Sequence, residues 1–120
     1  MAYKVTSALK EKHFPSLILL FGSEDYLKRQ FKDKIIDTIL PEKSSMNFSA
    51  FKNSSGKKEE SEGFLPEILS LSSTTPFFSE KRVILCENTG YFKNKFDLIP
   101  KLFENLPDFT HIIFLEKEIS

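Results

Sequence analysis

Five consecutive apolar residues, Leu17-Ile18-Leu19-Leu20-Phe21, run straight into a glycine, Gly22, and then into a polar stretch with helical spacing. A strand that is apolar at every position has no face to offer water, so it belongs in a sheet covered on both sides, the arrangement of parallel sheets with helices above and below. Gly22-Ser23 breaks the run, Ser23 is a good N-cap, and Glu24 and Asp25 suit the positive end of a helix. Leu27, Phe31, Ile35, Ile36, Ile39 and Leu40 then recur at helical spacing until Pro41 stops the pattern.

The same alternation recurs along the chain. Before the first strand, Thr6 to His13 reads as a short amphipathic helix closed by Pro15. Met46 to Phe51 alternates with the two-residue period of a strand, and Asn53 to Glu62, rich in Ser, Lys and Glu, reads as a solvated loop that adds nothing to the core. Phe64, Leu65, Ile68, Leu69 and Leu71 give a second amphipathic helix, and Val83 to Cys86 a third strand. Phe92, Phe96, Ile99, Leu102, Phe103 and Leu106 predict a further helix, divided near Pro100 and ended by Pro107-Asp108. His111 to Leu115 is the fourth strand, and the strand-helix order points to an α/β domain with a mainly parallel sheet.

Composition narrows the function. With 120 residues, 40% of them hydrophobic, the chain fits one domain with a real core and excludes disorder. Seventeen basic residues against seventeen acidic ones leave no net charge to steer the molecule towards nucleic acid or an anionic membrane. The single cysteine, Cys86, lies in an apolar strand, which removes disulfides and cysteine metal clusters and fits a reducing compartment. The Leu17–Phe21 run is far too short to span a bilayer, and the start of the chain lacks a secretion signal, so the expected location is the cytoplasm.

Catalytic chemistry has little to stand on. In open parallel sheets, ligands gather at the carboxyl ends of the strands, which directs attention to Phe21-Gly22-Ser23-Glu24-Asp25. A phosphate-cradling loop needs backbone N–H groups wrapped by two glycines and a neutralising lysine, whereas this turn offers one glycine and two carboxylates that repel phosphate. His13 and His111 lie far apart without a partner at metal-ligand spacing; His111 is expected at the exposed start of a strand and His13 at the end of the first helix. Glu59, Glu60 and Glu62 sit beside Lys57 and Lys58 in the loop, where carboxylates serve solubility. No catalytic, cofactor-binding or metal-binding residue is assigned. A degenerate nucleotide-binding module or phosphotransfer enzyme is the alternative, and it requires a lysine or arginine brought to Gly22 from elsewhere. A nucleic-acid surface built on Lys57, Lys58, Lys93 and Lys95 with Tyr91 and Phe92 is a second rival.

The most distinctive stretch is Thr74-Thr75-Pro76-Phe77-Phe78-Ser79-Glu80-Lys81-Arg82, where two adjacent phenylalanines follow a proline and precede a charged cluster. Pro76 fixes its own φ and lacks an N–H, so the preceding helix stops and the chain turns before the third strand. A double aromatic at such a turn is either a plug under the core or an anchor offered to a partner.

Leu17 to Leu27, Met46-Asn47-Phe48, the run Thr74 to Leu85, and Ile112-Ile113-Phe114 together resemble the N-terminal domain of the delta subunit of the bacterial DNA polymerase III clamp loader. The resemblance covers nearly the whole chain and is most specific in Thr-Pro-Phe-Phe-Ser-Glu-Lys-Arg. It implies an AAA+ type, P-loop-like three-layer domain with a degenerate P-loop. It further implies a domain, residues 1–120, of a longer subunit whose last sheet strand, helical lid and collar lie beyond it. The implied role is mechanical and non-catalytic, within a polymerase holoenzyme of the nucleotidyltransferase class. Delta inserts two hydrophobic side chains into a pocket on the sliding clamp, the beta subunit, and helps open the ring for loading onto DNA. Phe77 and Phe78 occupy those two positions, both aromatic where the family's first is a large apolar residue, with Thr75 and Pro76 shaping the turn. The helix from Phe64 to Ser73 supplies the neighbouring surface. No cofactor is implied; the other loader subunits are reached through the part of the subunit beyond this domain, and DNA only indirectly.

Overall fold

The structure, a computed structural model, describes residues 15–22, 24–40, 47–76, 81–91 and 106–117. The helices expected over Thr6 to His13 and between Phe92 and Phe103, like Ser23, Met46, Phe77 and Phe78, lie outside those residues. The elements are β1 (Leu17–Phe21), α1 (Asp25–Ile39), β2 (Phe48–Lys52), α2 (Lys58–Ser72), β3 (Arg82–Glu87) and β4 (Thr110–Glu116). The four strands form one sheet in the order β1-β4-β3-β2. Every pairing is parallel, with Leu17 opposite Ile112, Ile84 opposite Ile112 and Phe48 opposite Val83.

Strand alternation sorts the core into two layers. Ile18, Leu20, Val83, Leu85, Ile113 and Leu115 face α1 and pack with Ile35 and Leu40, and Phe31, Ile36, Ile39 and Phe48 close the edge. Ile84, Cys86, Ile112 and Phe114 face the other way, against Ile68, Phe51 and Tyr91. Leu17, Leu19, Phe64, Leu65 and Leu106 border that second layer. Phe51 and Phe64 meet with ring centroids 5.4 Å apart, and Tyr91 stands edge-on to Phe114 at 6.2 Å. The central strands β3 and β4 are buried almost throughout, as a parallel sheet between helices requires. The result is the expected three-layer α/β arrangement.

Several expectations are corrected. β1 is not covered on both faces throughout: among the described residues it pairs only with β4, Leu17 and Leu19 are half-buried, and Phe21 is exposed. The inward face of α1 passes through Lys28 and Ile35, which leaves Leu27 47% exposed, because a strict four-residue spacing drifts off the face that a 3.6-residue turn presents. The helix starts at Asp25, with Glu24 at the N-cap and no side-chain cap.

Asn53 to Glu62 is no featureless loop. α2 begins at Lys58, and buried Asn53 ties the turn before it to its first residues, donating its amide to the Lys57 carbonyl at 2.8 Å and to Ser61 Oγ at 2.7 Å. The Glu60 carboxylate turns back to accept the amides of Ser54 and Ser55 at 3.1 and 2.9 Å. Those bonds hold its carboxyl below the usual glutamate range, the Ser55 contacts contributing most. Pro66 lies inside α2, where the Glu62 carbonyl loses its helical donor. Glu62 is exposed, so that carbonyl can turn to water. His111, expected to be exposed, is 4% exposed, and its Nδ1 lies 2.8 Å from the Pro15 carbonyl oxygen. That carbonyl can only accept, so Nδ1 carries the proton.

Candidate functional site

At the amino ends of the strands, α2 unwinds into the segment that leads to Phe77 and Phe78. Ser72 Oγ donates to the Leu69 carbonyl at 2.7 Å, and Ser73 Oγ and Thr74 Oγ1 donate to the Ser70 carbonyl at 3.3 and 2.8 Å. A run of short hydroxyl side chains thus satisfies the last carbonyls of the helix. Two side chains from the sheet hold the helix end and the two threonines beyond it. Thr110 Oγ1 donates to the Ser72 carbonyl at 2.6 Å, and the Arg82 guanidinium donates to the Thr74 carbonyl at 3.2 Å and the Thr75 carbonyl at 3.4 Å. Arg82 is 5% exposed, and its own N–H donates to the Phe109 carbonyl at 2.7 Å. Thr75 is exposed and Pro76 half-buried.

At the opposite end of the sheet lies the turn after β1. Gly22 has φ 122°, a backbone that favours glycine, α1 starts three residues later, and the Lys28 amide donates to the Glu24 carbonyl at 3.1 Å. α1 brings two cations to this end. Lys28 is buried and its Nζ donates to the Glu116 carbonyl at 3.1 Å. Arg29 bridges Asp25 at 3.0 Å and Glu87 at 2.8 Å, so its charge is met by two carboxylates. The hydrogen bond from Arg29 holds the Asp25 carboxyl below the usual aspartate range. Sequence reasoning passed over Lys28. Its signal was spacing: Lys28 stands six residues after Gly22, as the lysine does after the first glycine of G-x-x-x-x-G-K, with Leu27 where the second glycine would fall.

The turn after β3 is an anion nest with its anion built in. Asn88 at φ 54° and Gly90 at φ 75° bend the backbone so that the amides of Thr89 and Gly90 point to one spot. The buried Glu116 carboxylate fills it, accepting from Thr89 N at 3.2 Å, Thr89 Oγ1 at 2.7 Å and Gly90 N at 3.0 Å. Beside it lies a cavity of about 630 Å³, lined by Lys57, Lys58, Leu65, Tyr91, Glu116 and Lys117 among others. Tyr91, a candidate base-stacking residue from its sequence neighbours, is instead 2% exposed, with its hydroxyl on the Ser61 carbonyl and its ring on Phe114. Burial pushes its phenol up, and it offers no platform to a base. Phe92, Lys93 and Lys95 fall outside the described residues. The described residues contain no cluster of three or more His, Cys, Asp or Glu able to hold a metal.

Comparison with known proteins gives a consistent picture. No curated protein matches the sequence. Among solved structures, the Bacillus subtilis DNA clamp loader delta protein (YqeN) superposes with a TM-score of 0.78 at 18% identity. The match covers 97% of this chain and 36% of that one, so the two share a fold over a part of the Bacillus protein. The sequence profile described as DNA polymerase III, delta subunit, matches residues 18–119, from the second residue of β1 to beyond β4. The chain therefore belongs to the DNA polymerase III delta subunit family.

Proposed function

We propose that this chain is the clamp-binding, N-terminal AAA+ like domain of a clamp-loader delta subunit, acting in the cytoplasm by holding the sliding clamp rather than by catalysis. The observation that carries this reading is the family match over residues 18–119. The 36% coverage of the Bacillus protein accords with a domain of a longer subunit, in which the remaining part joins the other loader subunits. Phe77 and Phe78 are the anchor, and Thr75 and Pro76 belong to the stem that carries it. Support comes from the way Thr110 and Arg82 tie that stem to the sheet. Burying two phenylalanine side chains supplies about 3 to 6 kcal/mol before association costs, which alone gives millimolar to tens-of-micromolar binding. A rim of contacts from the exposed side of α2 would add the rest.

The test is a titration of the cognate clamp with the Phe77→Ala, Phe78→Ala double variant. Clamp binding is lost and the melting transition stays within the small range of surface substitutions. If the variant melts with the roughly 3 to 5 kcal/mol penalty of buried phenylalanines, the rings are core and the anchor reading falls. No helix among the described residues is long and apolar enough to cross a membrane.

A further inference from the structure

Arg82 is a buried charged residue without a carboxylate partner among its described contacts; its guanidinium meets backbone carbonyls instead. Burying a guanidinium costs free energy unless its donors are used, and here two of them are used on Thr74 and Thr75, just past the C-cap Ser73 of α2. The position is electrostatically apt, because the carbonyl end of a helix carries partial negative charge. It is also topologically apt. The backbone N–H of Arg82 is fixed to Phe109, next to β4, while its side chain reaches back to Thr74 and Thr75. The chain leaves this stem at Pro76 and returns at Lys81, whose Nζ donates to the Asp108 carbonyl at 3.1 Å. One residue therefore links the outgoing arm of the loop to the incoming one.

We infer that Arg82 is a positioning residue for clamp attachment: it holds the Thr74–Pro76 stem in the orientation from which Phe77 and Phe78 reach the clamp, and does not itself touch the clamp. The inference rests on the anchor reading of Phe77 and Phe78. Without the guanidinium, the stem carbonyls turn to water and the stem gains conformations, all of which must be given up again on binding. A lysine cannot replace it fully, since a single ammonium lacks the planar fork that spans two successive carbonyls.

The experiment titrates the cognate clamp with the native chain, the Phe77→Ala, Phe78→Ala variant, Arg82→Met and Arg82→Lys, by calorimetry at two salt concentrations. Arg82→Met is expected to weaken binding about tenfold, the factor set by freeing roughly one residue's backbone. Stoichiometry stays unchanged, and Arg82→Lys falls between it and the native chain. The amides of Thr74 and Thr75 exchange faster in Arg82→Met. The salt dependence of binding is the same for all binding variants, because no charge facing the clamp has been removed. A fall in stoichiometry with the dissociation constant of the folded fraction unchanged would mean a merely structural arginine and overturn the inference. A reduced salt dependence would make it a direct contact and overturn it equally. Should Arg82→Met not fold, the affinity of Arg82→Lys and its amide exchange decide alone. If the native chain fails to bind, or the double phenylalanine variant binds as well as the native chain, it is the anchor reading that fails. Native affinity in Arg82→Met, with the double variant inactive, sinks only the role given to Arg82.

Discussion

The two ends of the sheet use charge in opposite ways. At the carboxyl end, where parallel α/β sheets gather ligands, three charges are answered from within: Arg29 by Asp25 and Glu87, the Glu116 carboxylate by Thr89 and Gly90, Lys28 by a main-chain carbonyl. At the amino end, Arg82 and Thr110 direct their donors to the backbone at and just after the end of α2. One end is a network that holds the strands together; the other is a bracket on the backbone that follows α2.

This contrast can be broken by mutation. Glu116→Ala removes the acceptor of three donors from a buried position, and it should cost about 2 to 4 kcal/mol in urea unfolding. Thr110→Val, which removes one neutral hydrogen bond from the bracket, should cost about 1 kcal/mol. Equal penalties at the two ends would mean that the bracket is as structural as the network.

Acid provides a gentler probe. The Asp25 and Glu60 carboxyls both have folded-state pKa values depressed by hydrogen bonds, from Arg29 and from the Ser54–Ser55 turn respectively. Their contributions are complete above the ordinary carboxylate range and are lost as the pH falls through the depressed folded-state values. Carboxyl NMR titration should show both midpoints below the ordinary range of their residue types. A midpoint for Glu60 in the ordinary range would remove the tie between its carboxylate and the Ser54–Ser55 turn. The smallest expected effect is none at all: ATP with magnesium should leave the melting temperature unchanged. A saturable shift, abolished by mutation at Lys28, would reopen the carboxyl end as a ligand site and with it the nucleotide-binding alternative.

Much of the sheet was legible in the sequence because its strands are short apolar runs bounded by polar residues. Leu17–Phe21 matches β1 residue for residue, and β3 and β4 extend the expected Val83–Cys86 and His111–Leu115 by one residue at each end. The errors have two causes: the drift of a four-residue spacing, which misplaced Leu27, and side-chain partners that local pattern does not carry. Nothing in Lys-Lys-Glu-Glu announces that Asn53 will tie the turn to the start of a helix, or that the Glu116 carbonyl awaits an ammonium on the inner face of α1. His111 looked exposed because its partner, Pro15, lies on the far side of the chain in sequence. In the candidate site, Phe77 and Phe78 lie outside the described residues, and what the structure adds is the bracket on Thr74 and Thr75. Arg82 read only as part of a charged cluster, since its two carbonyls come to it through the packing of α2 on β3.

The lone thiol has a practical consequence. Cys86 is wholly enclosed in β3, and burial raises its pKa far enough that the reactive thiolate is suppressed while the fold is intact. The intact fold is thus expected to react with thiol reagents only when it opens. A cysteine introduced at exposed Ser73 or Thr75 would be the only one to react, so a fluorophore could be placed beside the stem without removing the natural residue. Conversely, the rate at which the unaltered chain takes up such a reagent reports how often β3 is laid open, giving the frequency of deep unfolding from a single native atom.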